Sequence, residues 1–264
     1  MGKQGRLPCL MQDTSIHSLK GRRVAITRPA GTAAALAAAV RGRGGIPVLL
    51  PGLSLRQAED VQAAAIELDH ALTADVIVFT SPAAVAHAQQ LHRLVTQAQV
   101  CALGAGTAKA LARAGIKDVR FPDREDSEGL LAMDIMSQLG HARVALVGAA
   151  GGRGILRSVL RERSARFDEV LVYRRGPARL DARHRGAASA FTRRDRVLLS
   201  SAEALENLRQ GLAGLPWQAL LGAAWIVSSE RLATMARDAG IATVHVASSA
   251  QGPALLDMAA HVRD

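Results

Sequence analysis

The sequence predicts an α/β protein built from two similar three-layer, parallel-sheet domains of the Rossmann or flavodoxin-like kind. Short β-branched runs alternate with alanine- and leucine-rich stretches of helical length, which is the pattern of βαβ units. The chain has 264 residues, room for two cores when domains cluster near roughly 100 to 150 residues. It also repeats itself: Val24 matches Val144 and Ser81 matches Ser201 at an offset of 120, and Ile116 matches Ile241 at an offset of 125.

Strands are expected at 23–27 (RVAIT), 46–51 (IPVLLP), 75–80 (DVIVFT), 99–104 (QVCALG) and 118–122 (DVRFP). Five more are expected at 143–148 (RVALVG), 169–175 (EVLVYRR), 196–200 (RVLLS), 224–228 (AWIVS) and 243–247 (TVHVA), so ten strands supply two five-stranded sheets. Between them, residues 32–44, 83–95, 107–116, 127–140, 155–164, 201–212, 231–241 and 251–262 carry apolar residues at helical spacing. Several end in Gly, which suits the left-handed residue that closes a helix. Right-handed crossovers then place helices on both faces of each sheet.

No apolar run approaches the roughly 20 residues of a membrane span, and the amino-terminal stretch lacks the apolar core of a signal peptide. Cys9 and Cys101 are the only cysteines, too few for a disulfide framework or a thiolate metal cluster. A cytoplasmic protein is expected. The net charge of +10 is unevenly spread: 8 Lys and Arg against 1 acid in residues 1–53, 13 against 14 in 54–172, and 12 against 8 in 173–264. Such a surplus attracts nucleic acid, anionic membranes and acidic small molecules alike. With one Tyr, two Trp and four Phe, the chain is poor in the stacking platforms that single strands require, so nucleic-acid binding is disfavoured.

In open parallel sheets ligands bind past the carboxyl ends of the strands, where helix N-termini present unpaired N–H groups. Thr80 and Ser81, Gly104 and Thr107, Ser200 and Ser201, and Ser228 and Ser229 stand at four such turns. Each hydroxyl can serve as a helix cap, worth about 1 kcal/mol without any ligand, as a ligand contact, or as both. Together they predict two anion-binding rims.

Residues 104–109 (GAGTAK) begin like a dinucleotide fingerprint but place Lys109 where the third Gly belongs, and residues 148–154 (GAAGGRG) lack the Gly-Lys-Ser/Thr ending of a phosphate-binding loop. His87 and His92 are five apart and fall on different helix faces, so they do not form a metal pair. No Gly-x-Ser-x-Gly elbow occurs. Any chemistry has to come from holding and polarising a substrate.

The series RRVAITRPAG with Arg28, GGIPVLLPGLSL, ADVIVFTSPAAV, VCALGAGTAKALARAGI, DSEGLLAMDI, GGRGILRSVL with Arg153, EVLVYRR with Tyr173, RVLLSSAEALENL and WIVSSERLATMARDAGIATVHVASSA resembles, in order and spacing, the uroporphyrinogen-III synthases. The resemblance covers residues 22 to 260. Ala83 stands where the family often has Asn, and Val147 where it often has a basic residue.

The resemblance implies two α/β domains joined by a two-stranded linker. Residues 22–51 and 176–264 would form the first domain and 56–172 the second, with 52–55 and 173–175 as interdomain strands and 1–21 as a flexible extension. It implies cyclisation of hydroxymethylbilane to uroporphyrinogen III, with loss of water and inversion of the last pyrrole ring. No cofactor and no metal are implied. Tyr173 would assist departure of the hydroxyl, because a phenol donates a hydrogen bond well although it is a weak proton acid near neutral pH. Arg28 and Arg153 would meet substrate carboxylates. Thr80, Ser81, Gly104, Thr107, Ser200, Ser201, Ser228 and Ser229 would bind substrate along the rims. A monomer, no membrane or nucleic-acid partner, and hand-over of the bilane from hydroxymethylbilane synthase are the remaining expectations. A synthase-like protein that binds a tetrapyrrole without turnover, as a regulatory module, is the alternative.

Overall fold

The computed structural model describes residues 18–151 and 154–262. The chain divides into two compact units, one running up to Ser54 and resuming at Pro177, the other spanning Leu55–Gly176. In chain order the elements are β1 (Arg23–Ile26), α1 (Ala34–Gly42), β2 (Ile46–Leu49), β3 (Ser54–Gln57), α2 (Val61–Ala71), β4 (Val76–Phe79), α3 (Pro82–Leu91), β5 (Gln99–Ala102) and α4 (Ala105–Arg113). There follow α5 (Ser127–Leu131), α6 (Asp134–Ser137), β6 (Arg143–Ala149), α7 (Gly154–Arg163) and β7 (Arg166–Gly176). The chain then returns to the first unit with α8 (Ala182–Ser189), β8 (Arg196–Leu199), α9 (Ala202–Gly211), α10 (Leu215–Leu221), β9 (Ala224–Val227), α11 (Glu230–Asp238), β10 (Val244–Val246) and α12 (Gly252–His261).

Each unit holds one five-stranded sheet, ordered β10-β9-β8-β1-β2 in the first and β5-β4-β6-β7-β3 in the second. The ladders β10–β9, β9–β8, β8–β1 and β1–β2 are parallel, as are β5–β4, β4–β6 and β6–β7. Adding 120 to the first residue of β4 and α3 gives the first residue of β8 and α9, and the same step takes β1 to β6 and α1 to α7. After α9 the offset becomes 125, because the connection from α9 to β9 is five residues longer than that from α3 to β5 and holds α10.

Two expectations about strands are corrected. Residues 118–122 contribute only an isolated bridge between Cys101 and Arg120. Asp118 has a positive φ of 58°, which turns the chain out of the extended region, and Pro122 offers no N–H for a ladder. The tenth strand is instead β3, whose sequence SLRQ is too polar and short to stand out. The helix expected over 127–140 is broken into α5 and α6 at Met133, whose ψ of 142° is extended. Helices α2, α8 and α10 were not anticipated.

Every residue of β4, β8 and β9 is buried. Burial on both faces is the condition of a parallel sheet covered by helices, and the side chains sort accordingly. In the first unit Ala25, Val197, Leu199, Trp225 and Val227 enter one apolar layer while Val24, Ile26, Leu198, Ala224 and Ile226 enter the other. In the second, Ile77, Phe79, Ala145 and Val147 face one layer, and Val76, Val78, Val144 and Leu146 the opposite one. Leu19 is also fully buried, its N–H bonded to Arg43 O, so packing begins three residues ahead of residue 22. At the open edge of the first sheet, the Ile46 and Leu50 N–H groups donate inward to Arg22 O and Ile26 O. Pro47 therefore occupies an outward-facing position, where the missing N–H discourages pairing with another chain.

The repeat extends to single hydrogen bonds. The Asp195 carboxylate accepts the Arg23 N–H at 2.8 Å, and Asp75, 120 residues earlier, accepts the Arg143 N–H at 2.7 Å. Each aspartate thus fastens the start of the neighbouring central strand. Asp195 is buried and also accepts the Thr192 N–H and hydroxyl at 2.8 and 3.0 Å, whereas Asp75 is exposed. Beside it Arg196, fully buried, donates to the carbonyls of Arg194, Asp195, Ala259 and Val262. The negative carbonyl end of α12 thereby receives a cation, the favourable sense for a helix C-terminus. Removing Asp195 leaves three partly buried hydrogen bonds without their acceptor, whereas water can replace the exposed Asp75. Asp195→Ala is expected to cost about 2 to 4 kcal/mol and Asp75→Ala about 1 kcal/mol. Urea unfolding of the two variants measures the difference; equal losses would contradict this account.

Candidate functional site

A strand buried on both faces must shed its polar groups where it ends, so hydroxyls gather at the carboxyl edge. Ser81 caps α3 by accepting the Ala84 N–H at 3.0 Å, Ser201 caps α9 from Ala204 at 3.3 Å, and Ser229 caps α11 from Leu232 at 3.3 Å. All three are therefore helix caps, while Ser200 and Ser228, each one residue earlier, are half-buried at the strand ends. Gly104 starts α4 without a side-chain cap, and a side chain at that position would strike the Glu125 carboxylate. Thr107 is buried within the first turn of α4.

In the second unit this edge is shaped by the contact between Thr80 and Gly148. The Thr80 hydroxyl donates to Val147 O at 3.2 Å. A Cβ at Gly148 would lie 2.5 Å from that hydroxyl oxygen, so only glycine leaves room for it. At the same point the pairing of β6 with β7 slips: Gly148 faces Leu171 but Ala149 faces Tyr173. This bulge inserts Val172 as an extra residue and breaks the two-residue alternation of β7. Val170 and Val172 are buried and Leu171 is exposed, so regular alternation would turn position 173 outward. Tyr173 is instead turned in, 8 % exposed, and joins the layer of Val170 and Val172.

The Tyr173 hydroxyl lies 3.3 Å from the Ser81 hydroxyl, and either can donate. One face of its ring is covered by His87, the centroids 5.2 Å apart and the planes inclined by 15°. Partial burial lowers the His87 pKa below its ordinary value of 6.5 and favours the neutral imidazole. Thr80, Ser81 and Tyr173 are thus brought together, with His87 as a member that sequence reasoning missed. The signal was the spacing: Ser81, Ala84 and His87 recur every three residues and share one side of α3. His92 is the C-cap residue of α3, its Nε2 3.1 Å from Asp69.

In the first unit Arg28 reaches past the end of β1 and donates to Ala250 O at 3.2 Å, in the segment between β10 and α12. Partial burial lowers its pKa from the usual arginine value, and guanidinium remains cationic in proteins. Arg153 lies outside the described residues. The turn just before it is held by Arg175, which donates to Ala150 O and Gly151 O at 3.3 and 2.9 Å. Among the described residues no helix is long and apolar enough to cross a membrane. Cys101 is buried in β5, which pushes its thiol pKa up to about 11 and keeps it protonated.

A family model described as uroporphyrinogen-III synthase HemD matches residues 34–257. The uroporphyrinogen-III synthase of Salmonella typhimurium is 30% identical over 244 residues, 88% of this chain and 98% of that protein. The Escherichia coli uroporphyrinogen-III synthase is 28% identical over 246 residues with the same coverage. Among solved structures, a uroporphyrinogen III synthase mutant from Thermus thermophilus superposes with a TM-score of 0.53 at 21% identity, covering 89% of this chain and 96% of that one. The Helicobacter pylori uroporphyrinogen-III synthetase gives 0.61 at 15% identity, covering 92% and 99%. Both structural likenesses bear on the fold.

The glycine at position 148 is a local test of this geometry. Gly148→Ala is expected to cost about 1 to 3 kcal/mol through overpacking against Thr80. Thr80→Ala in the same chain, which removes the obstructing hydroxyl, is expected to return part of that loss. Chemical denaturation of the three variants gives the coupling directly, and strictly additive losses would refute the contact.

Proposed function

Because the chain belongs to the uroporphyrinogen-III synthase family, we propose that it cyclises hydroxymethylbilane to uroporphyrinogen III, and that Tyr173 with Ser81 assists departure of the hydroxyl. The observation that carries the site is the turning of the only tyrosine, by a strand bulge, onto the capping serine of α3.

The substrate bears an acetate and a propionate on each of its rings, so it suits a chain of net charge +10 whose strand ends present hydroxyls and helix N-termini. Arg28 and Arg153 would meet carboxylates, as would the turns at Thr80 and Ser81, Gly104 and Thr107, Ser200 and Ser201, and Ser228 and Ser229. Helix capping does not exclude this role: a serine oxygen that accepts one N–H still carries its own proton.

The chemistry needs little beyond geometry. The terminal hydroxymethyl carbon loses its hydroxyl and the same ring loses its N–H proton, together one water, leaving an electron-poor azafulvene. The substituted carbon of the last ring attacks it to give a spiro intermediate, which fragments and recloses with that ring inverted. Holding the bilane folded so that its ends meet is catalysis by proximity. Ser81 Oγ accepts the Ala84 N–H, so its own proton can be given to the Tyr173 oxygen. The phenolic proton is then available to the departing hydroxyl. We place the reaction in the cytoplasm, carried out by a monomer that receives its bilane from hydroxymethylbilane synthase. A chain whose single described cysteine is a buried free thiol is compatible with a reducing compartment.

The test is a coupled assay in which hydroxymethylbilane is generated enzymatically and the oxidised products are resolved as isomer I or III. Isomer III is expected with this protein. Tyr173→Phe should lower kcat by about 10- to 100-fold, short of the full contribution of a general acid, with isomer III still formed. Exclusive isomer I from a folded protein that still binds the bilane would favour a non-catalytic tetrapyrrole-binding module.

A further inference from the structure

We propose that His87 is a positioning residue for Tyr173, its imidazole fixing the plane of the phenol ring and with it the direction of the phenolic O–H. The inference rests on the reading of Tyr173 given above. A phenolic O–H prefers the plane of its ring, since conjugation of the oxygen with the ring is lost when it rotates out. Whatever sets that plane sets the two directions in which the proton can point. In this protein the near-parallel stack with His87 sets it, and Ser81, 3.3 Å from the hydroxyl oxygen, occupies one side of that oxygen.

Three further observations point the same way. His87 and Ser81 belong to one rigid segment, since Ser81 caps the helix that carries His87, so ring plane and serine are positioned together. Among the described residues the ring nitrogens of His87 have no hydrogen-bond partner, and its ring contact is the stack on Tyr173. Burial also favours its neutral form, a flat ring without the hydration an imidazolium would demand.

The test is a double-mutant cycle in the isomer-resolved assay. His87→Ala is expected to lower kcat about threefold to tenfold, with KM changed by less than about twofold. His87→Phe, which restores a flat ring, should return kcat close to the parent value. In a Tyr173→Phe background His87→Ala should change kcat no further, because the hydroxyl it orients is gone. A purely structural role would slow both backgrounds alike, and that result would overturn the proposal. So would full activity of His87→Ala while Tyr173→Phe is slow. If Tyr173→Phe itself were fully active, the role given to Tyr173 would fail first, a separate outcome. Should His87→Ala not fold, His87→Leu against His87→Phe makes the same comparison of a non-planar with a planar group. A second readout is independent of turnover: Tyr173 is the only tyrosine, so labelling tyrosine at the ring Cζ gives one signal by NMR. That signal should shift and broaden in His87→Ala and stay sharp in His87→Phe; an unchanged signal in His87→Ala would contradict the proposal.

Discussion

Burial of the central strands on both faces is the constraint from which the rest of this protein follows. Every residue of β4, β8 and β9 is buried, so no uncompensated polar side chain can sit along them without a cost of several kcal/mol. Recognition and chemistry are pushed to the strand ends. At the amino ends stand the fastening aspartates, Asp75 and Asp195; at the carboxyl ends stand the capping serines. The opposite ends of the same strands thus carry different polar residues, aspartates that fasten strands at one end and serines that cap helices at the other.

Tyr173 is the exception that the constraint makes informative. A strand cannot bring two consecutive side chains into one layer without a break in its pairing, and β7 contains such a break at Val172 and Tyr173. The glycine opposite, Gly148, admits the Thr80 hydroxyl into the space a side chain would fill. Three small irregularities, a slipped register, an absent Cβ and a capping hydroxyl, converge within one short stretch of sheet edge. The parallel ladders of β1, β2, β8, β9 and β10, and those of β4 with β5 and β6, keep their register.

Most of the architecture was legible in the residues. The 120-residue offset locates equivalent strands and helices in both units, because a repeated pattern of apolar runs and turn residues specifies a repeated fold. What escaped has identifiable causes. β3 is SLRQ, short and half exposed, and its place in the sheet comes from its neighbour β7. Residues 118–122 look like a strand, yet Asp118 adopts a left-handed backbone that no apolar pattern announces. Of the candidate site, the turn hydroxyls were visible as residue types at strand ends. The bulge that aims Tyr173 depends on the register of β6 against β7, and the stack with His87 joins two elements far apart in the chain; neither left a mark in local sequence.

The two crossings between the units take place at neighbouring strands. β3 and β7 lie side by side in the second sheet, and the Ser54 hydroxyl donates to Pro177 O at 3.1 Å just where the chain leaves and returns. The ends of residues 55–176 therefore lie on adjacent strands of one sheet. That stretch is an uninterrupted insert whose two ends enter neighbouring strands, so a gene fragment encoding it spans a whole unit. The first unit in turn needs only a tight turn from Ser54 to Pro177 to become a continuous chain. Duplication of an ancestral domain, followed by insertion of one copy into a loop of the other, would leave such a seam. The same seam marks where a circular permutant could be opened and reclosed.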